Sequence, residues 1–175
     1  NQIPVWGVDI NPEVVETLNQ GKMHIVEPSL QEVLEQAVHS GYFKASTQAQ
    51  AADTYLVVVP TPFKGNHEPD ISYVEAATRS IIPLLKPGDL YIIESTSPVG
   101  TTEKMQQLII AERPELAQSL HIAYCPERVL PGNVMHELVH NDRVIGGVDE
   151  SRTQKAMALY REFVKGALHA TNART

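Results

Sequence analysis

Leu90-Tyr91-Ile92-Ile93-Glu94-Ser95-Thr96-Ser97-Pro98-Val99-Gly100-Thr101-Thr102 is the stretch that decides the fold. Four apolar residues in a row fit a strand covered on both faces, as in a parallel sheet, better than a half-exposed strand that must alternate. A polar turn with Pro98 and Gly100 follows, and a helix is predicted over about 101–112. Upstream, residues 54–59 form a second unbroken apolar run, ended by Pro60, and read the same way. Residues 60–69 read as a polar loop. Asp70 or Ser72 then caps a helix to about residue 85, with Val74, Ala77, Ile81 and Leu85 on one side, and residues 86–89 form a turn. Strand, helix, strand and helix in that order predict a doubly wound α/β sheet.

The pattern extends both ways. Toward the N-terminus, residues 3–9 read as a strand. Asn11 supplies an N-cap, Pro12 the first helical position and Glu13 a first-turn acid. Val14, Val15 and Leu18 make that helix's apolar stripe, and Gly21 ends it. Ser29 to Glu32 form a capping box before a helix with Leu30, Val33, Leu34, Ala37 and Val38 at helical spacing, with Gly41 beyond. Toward the C-terminus, short strands are predicted at 121–124 and 143–146, with 125–142 mostly loop between them. A helix over about 150–165 leads to residues 168–171.

At 175 residues and 19.3 kDa the chain matches one ordinary domain, and 42% apolar residues can fill a core. The net charge of −7 and pI near 5.5 lack the basic footprint that phosphate-backbone binding needs, so no nucleic-acid partner is expected. No apolar run approaches the ~20 residues of a membrane span. Cys125 is the sole cysteine, which excludes an internal disulfide and a Cys₂ or Cys₄ zinc site. A cytoplasmic location is expected.

In a doubly wound sheet, ligands gather at the carboxyl ends of the strands. Four segments fall there: residues 9–12, 60–70, 95–102 and 125–131. Asp9 ends an apolar strand ahead of a capped helix, where a carboxylate either accepts hydrogen bonds from a ribose or simply tidies a turn. The Gly-rich fingerprint that accompanies such an acid lies ~20 residues earlier, and only eight residues precede Asp9. Around Thr61, two prolines make a stiff segment suited to a flat ligand or to a plain connector. The hydroxyls of residues 95–102 stand before a helix N-terminus, which favours anions. Glu127 and Arg128 pair an acid/base with a guanidinium, or form a surface ion pair. Cys125 reads as a small buried residue without an activating base. His136 and His140 stand four apart with no third ligand evident, so no metal site is expected.

Taken together, GVDINPEVVETLNQG, VVVPTPF, ESTSPVGTTEKM and YCPERVLPG resemble the nucleotide-sugar 6-dehydrogenases, the UDP-glucose/GDP-mannose dehydrogenase family. With PTPFKGNHEPD and NDRVIGG, the form YCPERVLPG is most similar to the UDP-N-acetyl-D-mannosamine branch. The resemblance covers essentially the whole chain. It implies a partial N-terminal NAD-binding domain over residues 1–175, Rossmann-like and mostly parallel. The first strand, Gly turn and helix would lie outside it, as would the central helix and the C-terminal UDP-binding domain.

The implied reaction is NAD-dependent oxidation of a UDP-sugar C6 alcohol to a carboxylate in two hydride transfers. The implied nucleophilic Cys and acid/base Lys lie beyond residue 175, so the chain alone is expected to be inactive. By the same resemblance Asp9 matches the ribose-binding acid, and Thr61, Thr96 and Thr102 match cofactor contacts. Glu127 matches the Glu that activates water, and Arg128 and Val129 match UDP-sugar contacts. A sheet flank bared by the missing unit predicts a homo-oligomer. The rival readings are UDP-glucose 6-dehydrogenase and a non-catalytic binding or oligomerisation module.

Overall fold

A computed structural model describes residues 3–27 and 30–174. The chain divides into two compact units, Asn1–Gln50 with Val129–His140, and Ala51–Arg128 with Asn141–Thr175.

In the first unit, β1 (Val5–Val8) leads to α1 (Pro12–Asn19), α2 (Leu30–His39) and β2 (Phe43–Ser46). The Asn11 side chain accepts the Glu13 N–H as N-cap, and Gly21 and Gly41 follow the helices with positive φ of 72° and 76°. Ser29, the expected cap of α2, lies outside the described residues. β1 and β2 pair in parallel, Val5 opposite Phe43 through Val8 opposite Ser46. β2 is a strand the sequence reading lacked. Its four residues, FKAS, carry too few apolar positions to show a period, and its partner fixes it. Asn19, at the end of α1, closes a two-way bond with β2: its Nδ2 donates to Ala45 O at 2.9 Å and its Oδ1 accepts from Ala45 N at 2.8 Å. Because both bonds are half-buried, Asn19→Ala is expected to cost about 1–3 kcal/mol in urea unfolding. A loss within experimental error would mean that α1 is held without them.

The second unit opens with β3 (Thr54–Val57). A two-rung antiparallel hairpin follows, β4 (Phe63–Lys64) with β5 (Glu68–Pro69), where a plain loop was expected. Next come α3 (Ser72–Ile81), β6 (Leu90–Ile93), α4 (Thr101–Glu112) and β7 (His121–Tyr124). After Arg128 the chain enters the first unit, forms α5 (Val134–His140), and returns at Asn141. α5 corrects the expected loop; Pro131, Gly132 and Asn133 hid a seven-residue helix behind turn chemistry. β8 (Arg143–Gly147), α6 (Glu150–Tyr160) and β9 (Leu168–Asn172) complete the chain.

Apart from the β4–β5 hairpin, the strands of this unit form one five-stranded sheet in the order β3-β6-β7-β8-β9. All neighbours are parallel except β7 and β8. All four residues of β6 are buried, as its unbroken apolar run requires. Leu90 and Ile92 join a core with Ala156, Met157 and Tyr160 of α6. Tyr91 lies against α3 and α4, its hydroxyl 2.6 Å from Thr78 Oγ1, which in turn donates to Met105 Sδ at 3.3 Å. Helices on both faces of a mostly parallel sheet are the doubly wound α/β arrangement expected. β3 departs from expectation: it ends at Val57, and Leu56 and Val58 are exposed. It is one of the sheet's two edge strands, paired on one side by β6, and among the described residues nothing buries its outward side chains.

Candidate functional site

β3, β6 and β7 run in parallel, so their carboxyl ends share one edge of the sheet. The residues that follow are joined by hydrogen bonds. Ser95 Oγ accepts the Val59 N–H and donates to Val59 O, both at 2.7 Å, which holds the stiff segment carrying Thr61 beside the turn after β6. Ser97 N–H donates to Tyr124 Oη at 3.1 Å, tying that turn to the end of β7. Thr101 Oγ1 donates to Pro98 O at 2.7 Å, so this hydroxyl is consumed by the turn entering α4. Thr96 remains exposed and Thr61 half-buried, two hydroxyls on adjacent strand ends. Thr102 is buried in the first turn of α4.

Antiparallel β8 supplies what the sequence reading missed. Because β8 runs against β7, its first residue, Arg143, stands at the edge where β3, β6 and β7 end. Arg143 is 4% exposed. Its Nη1 donates to Glu127 Oε2 at 2.6 Å, while Glu127 Oε1 accepts the Arg128 N–H at 2.6 Å. Glu127 therefore pairs with Arg143 and not with its neighbour Arg128. The exposed Arg128 guanidinium reaches Asp142 O at 3.4 Å. Pro126, Glu127, Arg128, Asn141, Asp142 and Arg143 line an open cleft of about 370 Å³.

Behind this cleft sit Glu94 and Tyr160. Tyr160 Oη donates to Glu94 Oε1 at 2.5 Å, and its ring centroid lies 5.5 Å from the Arg143 guanidinium carbon. Burial pushes the Tyr160 phenol far up, with the Glu94 charge adding to it, so the hydroxyl stays a donor. Burial also raises the Glu94 carboxyl; the Tyr160 hydroxyl and Arg143 oppose the rise and Glu127 adds to it. For Arg143, burial works against the charge, but the bond and charge of Glu127 outweigh it and the group is raised. Burial raises the Cys125 thiol, and its side chain is fully buried, which fits the inert small residue expected there.

The Glu94 shift has a measurable sign. A carboxyl that holds its proton more tightly when folded adds stability below the ordinary carboxylate range. That stability is lost as pH rises through the raised value. Glu94→Gln keeps an acceptor for Tyr160 and removes the titration. Its melting temperature relative to the parent is therefore expected to climb between pH 4.5 and 8. A difference that stays flat across that range would mean that Glu94 titrates as a solvated acid.

In the first unit, Asp9 follows β1 and its Oδ1 accepts the Asn11 N–H at 2.8 Å, so one oxygen serves the turn. Its backbone N–H bonds Ser46 O at 3.2 Å, extending the pairing with β2. Val129 is half-buried in this unit. The second unit thus brings Glu127 and Arg128 into one cleft and joins the segment bearing Thr61 to the turn bearing Thr96. Arg143, Tyr160 and Glu94 left a single signal in the sequence: a cation opening an apolar strand needs a carboxylate once buried.

Taken unit by unit, the donor and acceptor types present fit NAD: in the second unit an exposed and a half-buried hydroxyl, Thr96 and Thr61, stand at neighbouring strand ends, and in the first unit a carboxylate, Asp9, follows β1.

Residues 1–164 match the family model described as UDP-glucose/GDP-mannose dehydrogenase family, NAD binding domain. The UDP-N-acetyl-D-mannosamine dehydrogenase of Yersinia pestis is 55% identical, covering 98% of this chain and 43% of its own. The NDP-N-acetyl-D-galactosaminuronic acid dehydrogenase of Ralstonia nicotianae is 50% identical, over 99% and 43%. The UDP-N-acetyl-mannosamine dehydrogenase Cap5O from Staphylococcus aureus superposes with a TM-score of 0.93 at 41% identity, over 98% and 42%. The chain spans less than half the length of each of these three relatives.

Proposed function

Because this chain belongs to the UDP-glucose/GDP-mannose dehydrogenase family through its NAD-binding domain, we propose that it serves in oxidising the C6 alcohol of UDP-N-acetyl-D-mannosamine to UDP-N-acetyl-D-mannosaminuronate. The observation that carries this reading is the 55% identity to a UDP-N-acetyl-D-mannosamine dehydrogenase over 98% of the chain. A primary alcohol, two NAD⁺ and one water give a carboxylate, two NADH and three protons. Bound NAD⁺ supplies the hydride acceptor for each oxidation.

The chain's own residues bind and orient. Asp9 accepts hydrogen bonds from the adenosine ribose and repels a 2′-phosphate. Thr61 and Thr96 offer hydroxyls along the nicotinamide half, with Thr102 at the start of α4. Arg128 and Val129 contact the UDP-sugar, the guanidinium by paired bonds to phosphate oxygens. Glu127 takes a proton from the water whose oxygen enters the product. The nucleophilic Cys and the Lys acid/base of the reaction belong to segments outside these 175 residues, and the chain alone is inactive on this reading.

The test has two parts. Asp9→Ala is expected to weaken NAD⁺ binding about 10–100-fold, the worth of hydrogen bonds to a charged group, read by calorimetric titration; unchanged affinity would remove Asp9 from the site. The complete gene product should form two NADH per UDP-N-acetyl-D-mannosamine, and faster turnover of UDP-glucose would favour the rival dehydrogenase. The 50% identity to an N-acetylgalactosaminuronic acid dehydrogenase favours a second reading, another 2-acetamido sugar, so UDP-N-acetyl-D-galactosamine belongs in the same assay.

We include a cytoplasmic location and a homo-oligomer in this proposal. Among the described residues no helix is long and apolar enough to cross a membrane. Among the described residues β1 pairs only with β2, and Val5, Trp6 and Val8 are exposed, an apolar edge for a second copy to cover. A monomer in size-exclusion chromatography would count against self-association.

A further inference from the structure

We propose that Arg143 is a positioning residue for Glu127, fixing the carboxylate's orientation in the cleft, with Tyr160 and Glu94 fixing Arg143 in turn. Its mechanistic part rests on the function proposed above; its structural part does not.

Three strand ends and one helix meet at this point. Glu94 follows β6, Glu127 follows β7, Arg143 opens β8, and Tyr160 ends α6. The Glu127 backbone N–H donates to Glu94 O at 3.0 Å, so the two acids are linked through the main chain as well. Arg143 is almost wholly buried, and a guanidinium is removed from water only where a carboxylate meets it at close range. Nη1 meets Glu127 Oε2 at 2.6 Å. The ring of Tyr160 lies against the guanidinium, and the hydroxyl of Tyr160 is spent on Glu94. A planar guanidinium under an aromatic face has little rotational freedom.

An ionised carboxylate offers about four acceptor positions. Arg143 and the Arg128 N–H occupy one on each Glu127 oxygen. The lone pairs left open serve a water or ligand in the cleft. Arg143 therefore does not quench the acid; it selects which way the acid faces. Oxidation of an alcohol to a carboxylate needs one water oxygen, and the first hydride transfer, to the aldehyde level, needs none. An acid that activates water serves only the later half, so loss of its orientation should slow that half alone.

The first experiment uses this chain and no substrate. In ¹³C,¹⁵N-labelled protein the β-proton couplings of Glu127 should report one side-chain rotamer. In Arg143→Gln they should average while amide dispersion persists, and Arg143→Lys should recover part of the single-rotamer pattern. Tyr160→Phe covers the case in which the Arg143 variants do not fold. It keeps the ring and frees Glu94, and should broaden the Glu127 couplings to a lesser degree. Couplings that stay at parental values in the folded variants overturn the proposal.

The second experiment uses the complete gene product with UDP-N-acetyl-D-mannosamine. Arg143→Lys should lower kcat at least tenfold with KM for the sugar within twofold and a retained burst of NADH from the first transfer. Loss of the burst, or KM and kcat moving together, would make Arg143 merely structural. If the parent forms no NADH, the proposed function fails, while the coupling measurement still decides whether Arg143 orients Glu127.

Discussion

Gly146→Ala is expected to destabilise the second unit by at least about 4 kcal/mol, in the rare tail of point-mutation effects. A Cβ on Gly146 would lie 2.3 Å from Asn172 O and 2.4 Å from its carbonyl carbon. Both are main-chain atoms of β9, so no rotamer change relieves the overlap. Asn172 would have to retreat by about 1 Å to reach even the tight end of ordinary contact, against the ladder that pairs β8 with β9 over five residues. A domain holds only about 5–15 kcal/mol in total, so much of this variant's protein should be unfolded at physiological temperature. Urea unfolding followed by circular dichroism reads the effect directly. A loss below about 1 kcal/mol would mean that β9 does not lie where described. The requirement here is space and not backbone freedom, since Gly146 is not among the glycines with positive φ.

Glu127→Ala carries the second large effect. It leaves the Arg143 guanidinium, 3% exposed in its side chain, without the carboxylate it bonds. Breaking one side of a buried pair costs about 3–5 kcal/mol, because the buried charge loses the carboxylate that bonds it at close range. On the proposed function it also removes a proton acceptor, which is worth about 10²–10⁴ in rate. The two losses separate experimentally: chemical denaturation reads the first, and uronate formation by the complete gene product reads the second. Stability equal to the parent would show that the ion pair carries no weight; unchanged uronate formation would take Glu127 out of the chemistry.

The sequence showed the architecture well where one residue type dominated. The run Leu90 to Ile93 had to be buried on both faces, and it is; α4 occupies the very residues predicted. Where an element depends on a partner far along the chain, local reading was silent. β2 is a strand because β1 lies beside it, and its own residues say little. The run 54–59 looked buried because its residues are apolar, yet an edge strand lacks the neighbour that would cover Leu56 and Val58. The site followed the same rule. Glu127 was legible as an acid after a strand, but its choice of Arg143 over Arg128 depends on the direction of β8, which no local pattern encodes. Tyr160 reads as one more apolar position on α6 until its hydroxyl is found on Glu94.

The excursion from Val129 to His140 begins and ends within one clasp. Glu127 grips Arg143 and Arg128 reaches the Asp142 carbonyl, so the stem of the loop is closed by side chains of the second unit itself. Strain or length inside the loop is thereby insulated from the sheet. Splicing in a shorter tether, or grafting a longer one, should leave β7 and β8 in register. The sheet of the second unit can thus accept a change of length there, whereas the bonds made inside the excursion, such as the Gly132 N–H to the Glu27 carboxylate, belong to the first unit and set what must be kept.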